Sequence, residues 1–176
     1  MNIDTINGRI IDLWQKYDKD VTGDLSPLLY KDFKRDALLF IGLNPSYSPR
    51  GFKKFLKGSR YEGISADIAE INKYHAFKNI DKYRHDIMEM QAIAFEKYDY
   101  FNPIRDIAKY VGIDWNHLDL FYQRITKQKT LRESLFKNGR IHDFAVEQLK
   151  ITTDIIDYLN PKVIVIINAL ARDIMK

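Results

Sequence analysis

The sequence predicts an α/β fold built on a short parallel sheet, and three observations carry that reading. Ala37–Gly42 (ALLFIG) and Val163–Ile167 (VIVII) are continuous apolar runs of strand length, the pattern of strands buried on both faces. Leu118–Ile125 (LDLFYQRI) alternates apolar and polar residues at period two, which reads as a third strand with one polar face. Between the strands lie segments with apolar residues at helical spacing. Strands separated by helices imply parallel pairing through right-handed crossovers, with Ala37–Gly42 in the middle.

Taken in order, Thr5–Tyr17 carries Ile6, Ile10, Leu13 and Trp14 at helical spacing and predicts a first helix. Thr22–Pro27 (TGDLSP) has turn chemistry. The strand at Ala37–Gly42 is ended by Asn44-Pro45. Ser46–Ile64 contains Pro49, Gly51, Gly58 and Gly63 and reads as a long loop, a type of segment that commonly carries function. Helices follow over Ser65–Phe77 and Ile80–Tyr98, the second with Ile80, Tyr83, Ile87, Met90 and Ala94 along one stripe. Pro103–Tyr110 is a short helix with Pro in its first turn and Gly112 behind it. After the second strand, Gly139–Leu159 reads as a strong helix that Asn160-Pro161 stops. The last strand, Val163–Ile167, is followed by Asn168-Ala169.

Composition excludes several classes of function. With no cysteine among 176 residues, disulfide frameworks, thiol catalysis and cysteine-bearing zinc sites are ruled out. His75, His85, His117 and His142 show no ligand spacing for a metal, so neither a metal nor a cofactor is expected. His117, falling just before the predicted second strand, reads as structural or exposed. There is no Gly-x-Gly-x-x-Gly, no Walker loop, and no Gly-x-Ser-x-Gly elbow around Ser46. No apolar run approaches the ~20 residues of a membrane span. The N-terminus lacks a basic-then-apolar leader, so the expected compartment is the cytoplasm.

In open parallel sheets ligands bind beyond the carboxyl ends of the strands. Three loop starts should therefore gather on one edge: Gly42–Tyr47, Gln123–Gln128 and Asn168–Arg172. The net charge of +4 speaks only of weak attraction to polyanions. Its distribution says more. Arg50, Lys53, Lys54, Lys57 and Arg60 fall within eleven residues without an acid, and Phe52 and Phe55 stand among them. Cations interleaved with aromatics suit a phosphate backbone with stacked bases, while a solvated loop is the plain alternative.

Two of these segments resemble a known family. Leu38-Leu39-Phe40-Ile41-Gly42-Leu43-Asn44-Pro45-Ser46 resembles the first motif of the uracil-DNA glycosylase superfamily, a buried strand running into Gly-x-(Asp/Asn/Glu)-Pro. Leu159-Asn160-Pro161-Lys162-Val163-Ile164-Val165-Ile166-Ile167 resembles its later Leu-x-Pro-Lys-Val-Ile-Val strand. The resemblance implies a three-layer α/β/α sandwich and a single domain over residues 1–176. It implies that Asn44 holds an attacking water, as in the mismatch-specific branch. Gly42, Pro45, Ser46 and Tyr47 would line a base pocket. Phe55 or Phe52 would stack on a flipped base, and Gln123 or Arg124 would read its edge. Asn168 would shape the pocket floor, and Arg50, Lys53, Lys54 and Arg60 would hold the nucleic-acid backbone.

The family's last motif, His-Pro-Ser or a relative after a fourth strand, has no counterpart before Lys176. The expectation is a sheet lacking that strand, in a polypeptide that continues further or pairs as a homodimer through its Val163–Ile167 edge. Asn44 is an amide and cannot take a proton from water. The functional expectation is recognition of a DNA base, with hydrolysis of its N-glycosidic bond weak or absent. The alternatives are a non-catalytic nucleic-acid-binding or assembly module and a nucleoside or nucleotide binder.

Overall fold

The computed structural model describes all 176 residues, Met1–Lys176. Its centre is a three-stranded parallel sheet: β1 (Leu38–Gly42), β2 (Trp115–Asp119) and a last strand, β5 (Val163–Ile166), in the order β2-β1-β5. β1 is the middle strand, as its continuous apolar run requires. Leu38 stands opposite Trp115 and Val163, and Gly42 stands opposite Asp119.

Successive side chains of β1 leave on opposite faces. Leu39 and Ile41 enter the main core, which holds α1 (Ile3–Lys16) and α9 (Asp143–Leu159). Ile6, Ile10 and Trp14 of α1 meet Phe144, Ile151 and Ile155 of α9 there, and Trp14 lies edge-on to Phe144 at 5.0 Å. Leu38 and Phe40 point the other way, onto Phe101 and onto Ile104 and Ala108 of α7 (Asn102–Val111). Helices therefore cover both faces, giving three layers. α7 ends where Gly112 takes a left-handed conformation (φ 66°), which a residue with a Cβ adopts only at a cost.

A second apolar cluster sits beyond the carboxyl end of the sheet. It joins α3 (Pro49–Leu56), α5 (Ile68–His75) and the C-terminal half of α6 (Ile80–Lys97). The predicted loop at Ser46–Ile64 is thus corrected to two helices, α3 and the single turn α4 (Glu62–Ser65). Ser48 caps α3 by accepting from the Gly51 amide at 3.1 Å, and Pro49 fills its first turn. Phe52 and Leu56, four apart, bury on one side and leave Arg50, Lys53 and Lys54 outside. The remaining elements are α2 (Lys19–Thr22), α8 (Gln128–Leu135), the small hairpin β3 (Phe136–Lys137) and β4 (Arg140–Ile141), and α10 (Ala169–Ile174).

Two further expectations are corrected. The second strand lies at Trp115–Asp119, not Leu118–Ile125. Leu120 and Phe121 still donate to Gly42 and Leu43, after which the chain swings to Leu28, whose amide donates to the Tyr122 carbonyl at 2.9 Å. Leu120–Arg124 are all buried, so their alternation reports no solvent face. The last strand is not buried on both faces either. It forms the sheet edge, with Val163 51%, Ile164 42% and Val165 36% exposed. No helix is long and apolar enough to cross a membrane.

Candidate functional site

A pocket of about 370 Å³ opens at the carboxyl edge of the sheet. That volume falls in the ~300–1,000 Å³ range of small-ligand sites. All three expected loop starts contribute to it. Gly42, Leu43, Asn44, Pro45 and Ser46 come from the exit of β1, Asn168 from the exit of β5, and Ile125, Thr126 and Gln128 from the end of the segment after β2. Phe52 and Phe55 of α3 form one wall. Phe95, Tyr98, Tyr100 and Phe101, from the end of α6 and the turn behind it, form an adjoining one. Phe55 and Tyr98 join the two in a tilted contact, 5.2 Å between ring centres. Burial and the nearby Asp119 carboxylate raise the Tyr100 phenol above its ordinary value, so it remains a hydrogen-bond donor.

Asn44 has a double part. Its Nδ2 donates to the carbonyls of Ile125 (2.7 Å), Gln123 (3.1 Å) and Pro45 (3.3 Å). Three acceptor oxygens around one nitrogen fix the orientation of the amide. The side chain staples the β1 exit to the segment after β2 and leaves Oδ1 for the pocket. Asn168 is likewise half structural: its Oδ1 caps α10 by accepting from the amides of Leu170 and Ala171.

Three expected pocket residues lie elsewhere. Gln123 is buried, and its Nε2 donates to the Val21 carbonyl at 2.9 Å. Arg124 is buried too: its Nε donates to the Ser26 carbonyl at 3.1 Å and its Nη2 to Gln91 Oε1 at 3.0 Å. Desolvation pulls the Arg124 guanidinium down to about 10, which still leaves it charged at neutral pH. Both residues are turned inward because the chain leaves the sheet after Phe121. Tyr47 stacks behind the pocket on Phe52 and His75, and its hydroxyl donates to Asn72 at 2.9 Å. Burial pushes the Tyr47 phenol up to about 12.

Arg50, Lys53, Lys54 and Arg60 are exposed outside the pocket, around the helix that supplies its Phe52–Phe55 wall. Lys54 stands 3.7 Å from Asp99, and Arg60 stands 3.9 Å from Glu89. Lys53 donates to the Ala66 carbonyl at 3.3 Å.

The polar groups missed by the sequence reading are His117 and Asp119. His117 is not at the entrance of the second strand but in its middle, opposite Phe40, and is buried. Asp119 ends the strand opposite Gly42. Both lie on the face that carries Phe40, and both line the pocket. His117 Nε2 is 3.4 Å from Asp119 Oδ2, and the ring lies edge-on to Phe101 at 5.0 Å. The pair folds over Gly42 so closely that a Cβ there would meet Asp119 Oδ1 at 2.3 Å and His117 Cε1 at 3.0 Å. Gly42 is thus required by close approach and not by a turn. The signal for this pair was the His-x-Asp spacing, which puts both side chains on one face of a strand.

The arrangement provides aromatic walls for a flat ring, an amide oxygen at the rim, and a buried carboxylate–imidazole pair at one end. Comparison with family models, curated protein sequences and solved structures gives no match for this chain.

Proposed function

We propose that this chain recognises a single base of a nucleic acid, with DNA favoured by the resemblance to the uracil-DNA glycosylase superfamily. The observation that carries the reading is one helix with two functions. The inner face of α3 gives Phe52 and Phe55 to the pocket, and its outer face presents Arg50, Lys53 and Lys54 without an acid in the helix. A backbone drawn to the outer face would stand beside a slot whose walls stack on a base. Stacking on an aromatic ring is worth about 1–3 kcal/mol per base, and every base has a face to offer.

Binding, rather than base excision, is the activity that these residues support. Asn44 Oδ1 accepts a hydrogen bond from a water but has no basicity with which to take its proton. Alkali treatment of a uracil-containing oligonucleotide incubated with the protein is expected to give little or no cleavage. Cleavage that scales with protein and disappears in Asn44→Ala would replace this reading with an enzymatic one.

The backbone contact has its own test. Affinity for a single-stranded oligonucleotide should fall with salt, and Lys53→Glu with Lys54→Glu should flatten that dependence. Each lost phosphate contact removes about 0.7 from the logarithmic slope for single strands. An unchanged slope would place the backbone on another face of the molecule.

A further inference from the structure

Asp119 is only 4% exposed, yet it stands at the pocket. The His117 imidazole nitrogen Nε2 stands 3.4 Å from its Oδ2. No protein donor closes a hydrogen bond on its Oδ1, which lies against the backbone of Gly42. Elsewhere at this end of the sheet, Arg124, Asn44 and Asn168 have protein partners, and Gln123 has one through its Nε2. An ionised carboxylate accepts hydrogen bonds and donates none. Asp119 Oδ1 is not sealed from solvent, so a molecule that fills the pocket strips it of water, which is costly unless that molecule brings N–H groups of its own.

We infer that the base held here presents two neighbouring N–H donors on one edge, and that Asp119 receives them. Among the common bases that edge belongs to guanine, with its ring N–H beside an exocyclic amino group. Uracil offers one N–H flanked by two carbonyl oxygens, which would face the negative charge. Adenine and cytosine each offer an amino group next to an acceptor nitrogen. The acceptor on the same edge of guanine, its carbonyl oxygen, is met from the same pocket by donors not committed elsewhere, the Tyr100 hydroxyl and the Asn168 amide nitrogen. Asp119 is then a specificity-determining residue, and His117, held between Phe95 and Phe101, is a positioning residue that fixes the carboxylate. The inference rests on the reading of the pocket as a base site.

The test compares short oligothymidines that differ at one central position, which carries guanine, hypoxanthine, uracil or an abasic site, in binding to the full chain. Hypoxanthine keeps the ring N–H and carbonyl of guanine and lacks only the amino group. Guanine is expected to bind roughly 10- to 100-fold more tightly than hypoxanthine, the size of one hydrogen bond to a charged group. Asp119→Asn, which turns one acceptor into a donor, should close that gap. Equal binding of guanine, hypoxanthine and uracil, all tighter than the abasic strand, would overturn the inference and leave the base pocket standing. A guanine preference that survives in Asp119→Asn would also overturn it. No base bound more tightly than the abasic site would overturn the base pocket itself, and the inference with it.

Discussion

Two polar clusters sit within a few residues of each other at the carboxyl end of the sheet, and they are built in opposite ways. Around Arg124 the hydrogen bonds run inward: Nε to the Ser26 carbonyl, Nη2 to Gln91, with Gln123 tied to Val21. Around Asp119 the His117 imidazole stands 3.4 Å away, and the pocket lies in front. Each place buries one charged group; what differs is that the Arg124 guanidinium donates to two protein acceptors, while the Asp119 side chain accepts no protein hydrogen bond. A charged group bonded to the protein around it holds the fold together. One left short of partners in a pocket is where a ligand fits.

The largest effect expected from this contrast is on acid stability, through His75 beside Arg124. Burial, helped by the Arg124 charge, pulls the His75 imidazole from 6.5 down to about 3, while its Nδ1 faces the Ile71 carbonyl at 3.0 Å. Between those two values the unfolded chain binds a proton that the native state refuses. Stability therefore rises with pH across that window and is lost as pH falls from about 6.5 towards about 3. The slope is a little over 1 kcal/mol per pH unit, about 5 kcal/mol across the window. Urea unfolding of the wild type and His75→Phe at several pH values checks it: the variant should lose most of this dependence.

Next in size is a pair of substitutions with opposite consequences. Arg124→Ala leaves Gln91 and the Ser26 carbonyl without their donor and opens a void, so it should destabilise the fold by about 2–4 kcal/mol. Asp119→Ala removes a buried charge that the protein does not satisfy, so it should leave stability within about 1 kcal/mol or raise it. Comparable losses from both substitutions would erase the distinction between the clusters. The smallest effect concerns the aromatic wall. Phe55→Ala should weaken oligonucleotide binding by about 1–3 kcal/mol, with every base affected alike, which titrations with different central bases would show.

The same residues explain what could be read from the sequence. Leu38–Gly42 announced a central strand, and all five of its residues are buried with a partner strand on each side. Val163–Ile166 has the same composition but lies at the edge, because an apolar run records a preference for burial and not its fulfilment. Leu118–Ile125 misled for the opposite reason. Gln123 and Arg124 look like a solvent face, yet each finds carbonyl or amide partners inside. Moving the strand to Trp115–Asp119 moved the candidate edge-reading position from Gln123 and Arg124 to Asp119. The gathering of loop starts survived that shift, since it depends on strand direction alone. Ser46–Ile64 read as loop from its glycines, whereas the Phe52–Leu56 spacing and the Ser48 cap make Pro49–Leu56 a helix.

The central claim is that Asp119, positioned by His117, and not Gln123 or Arg124, meets the bound base. Side-chain NMR of the isotope-labelled protein, titrated with a guanine-bearing oligothymidine, tests it most directly. The account predicts saturable shifts of the Asp119 carboxyl and His117 ring resonances while those of the Gln123 amide and Arg124 guanidinium stay in place. Shifts at Gln123 and Arg124 with Asp119 and His117 unmoved would contradict it.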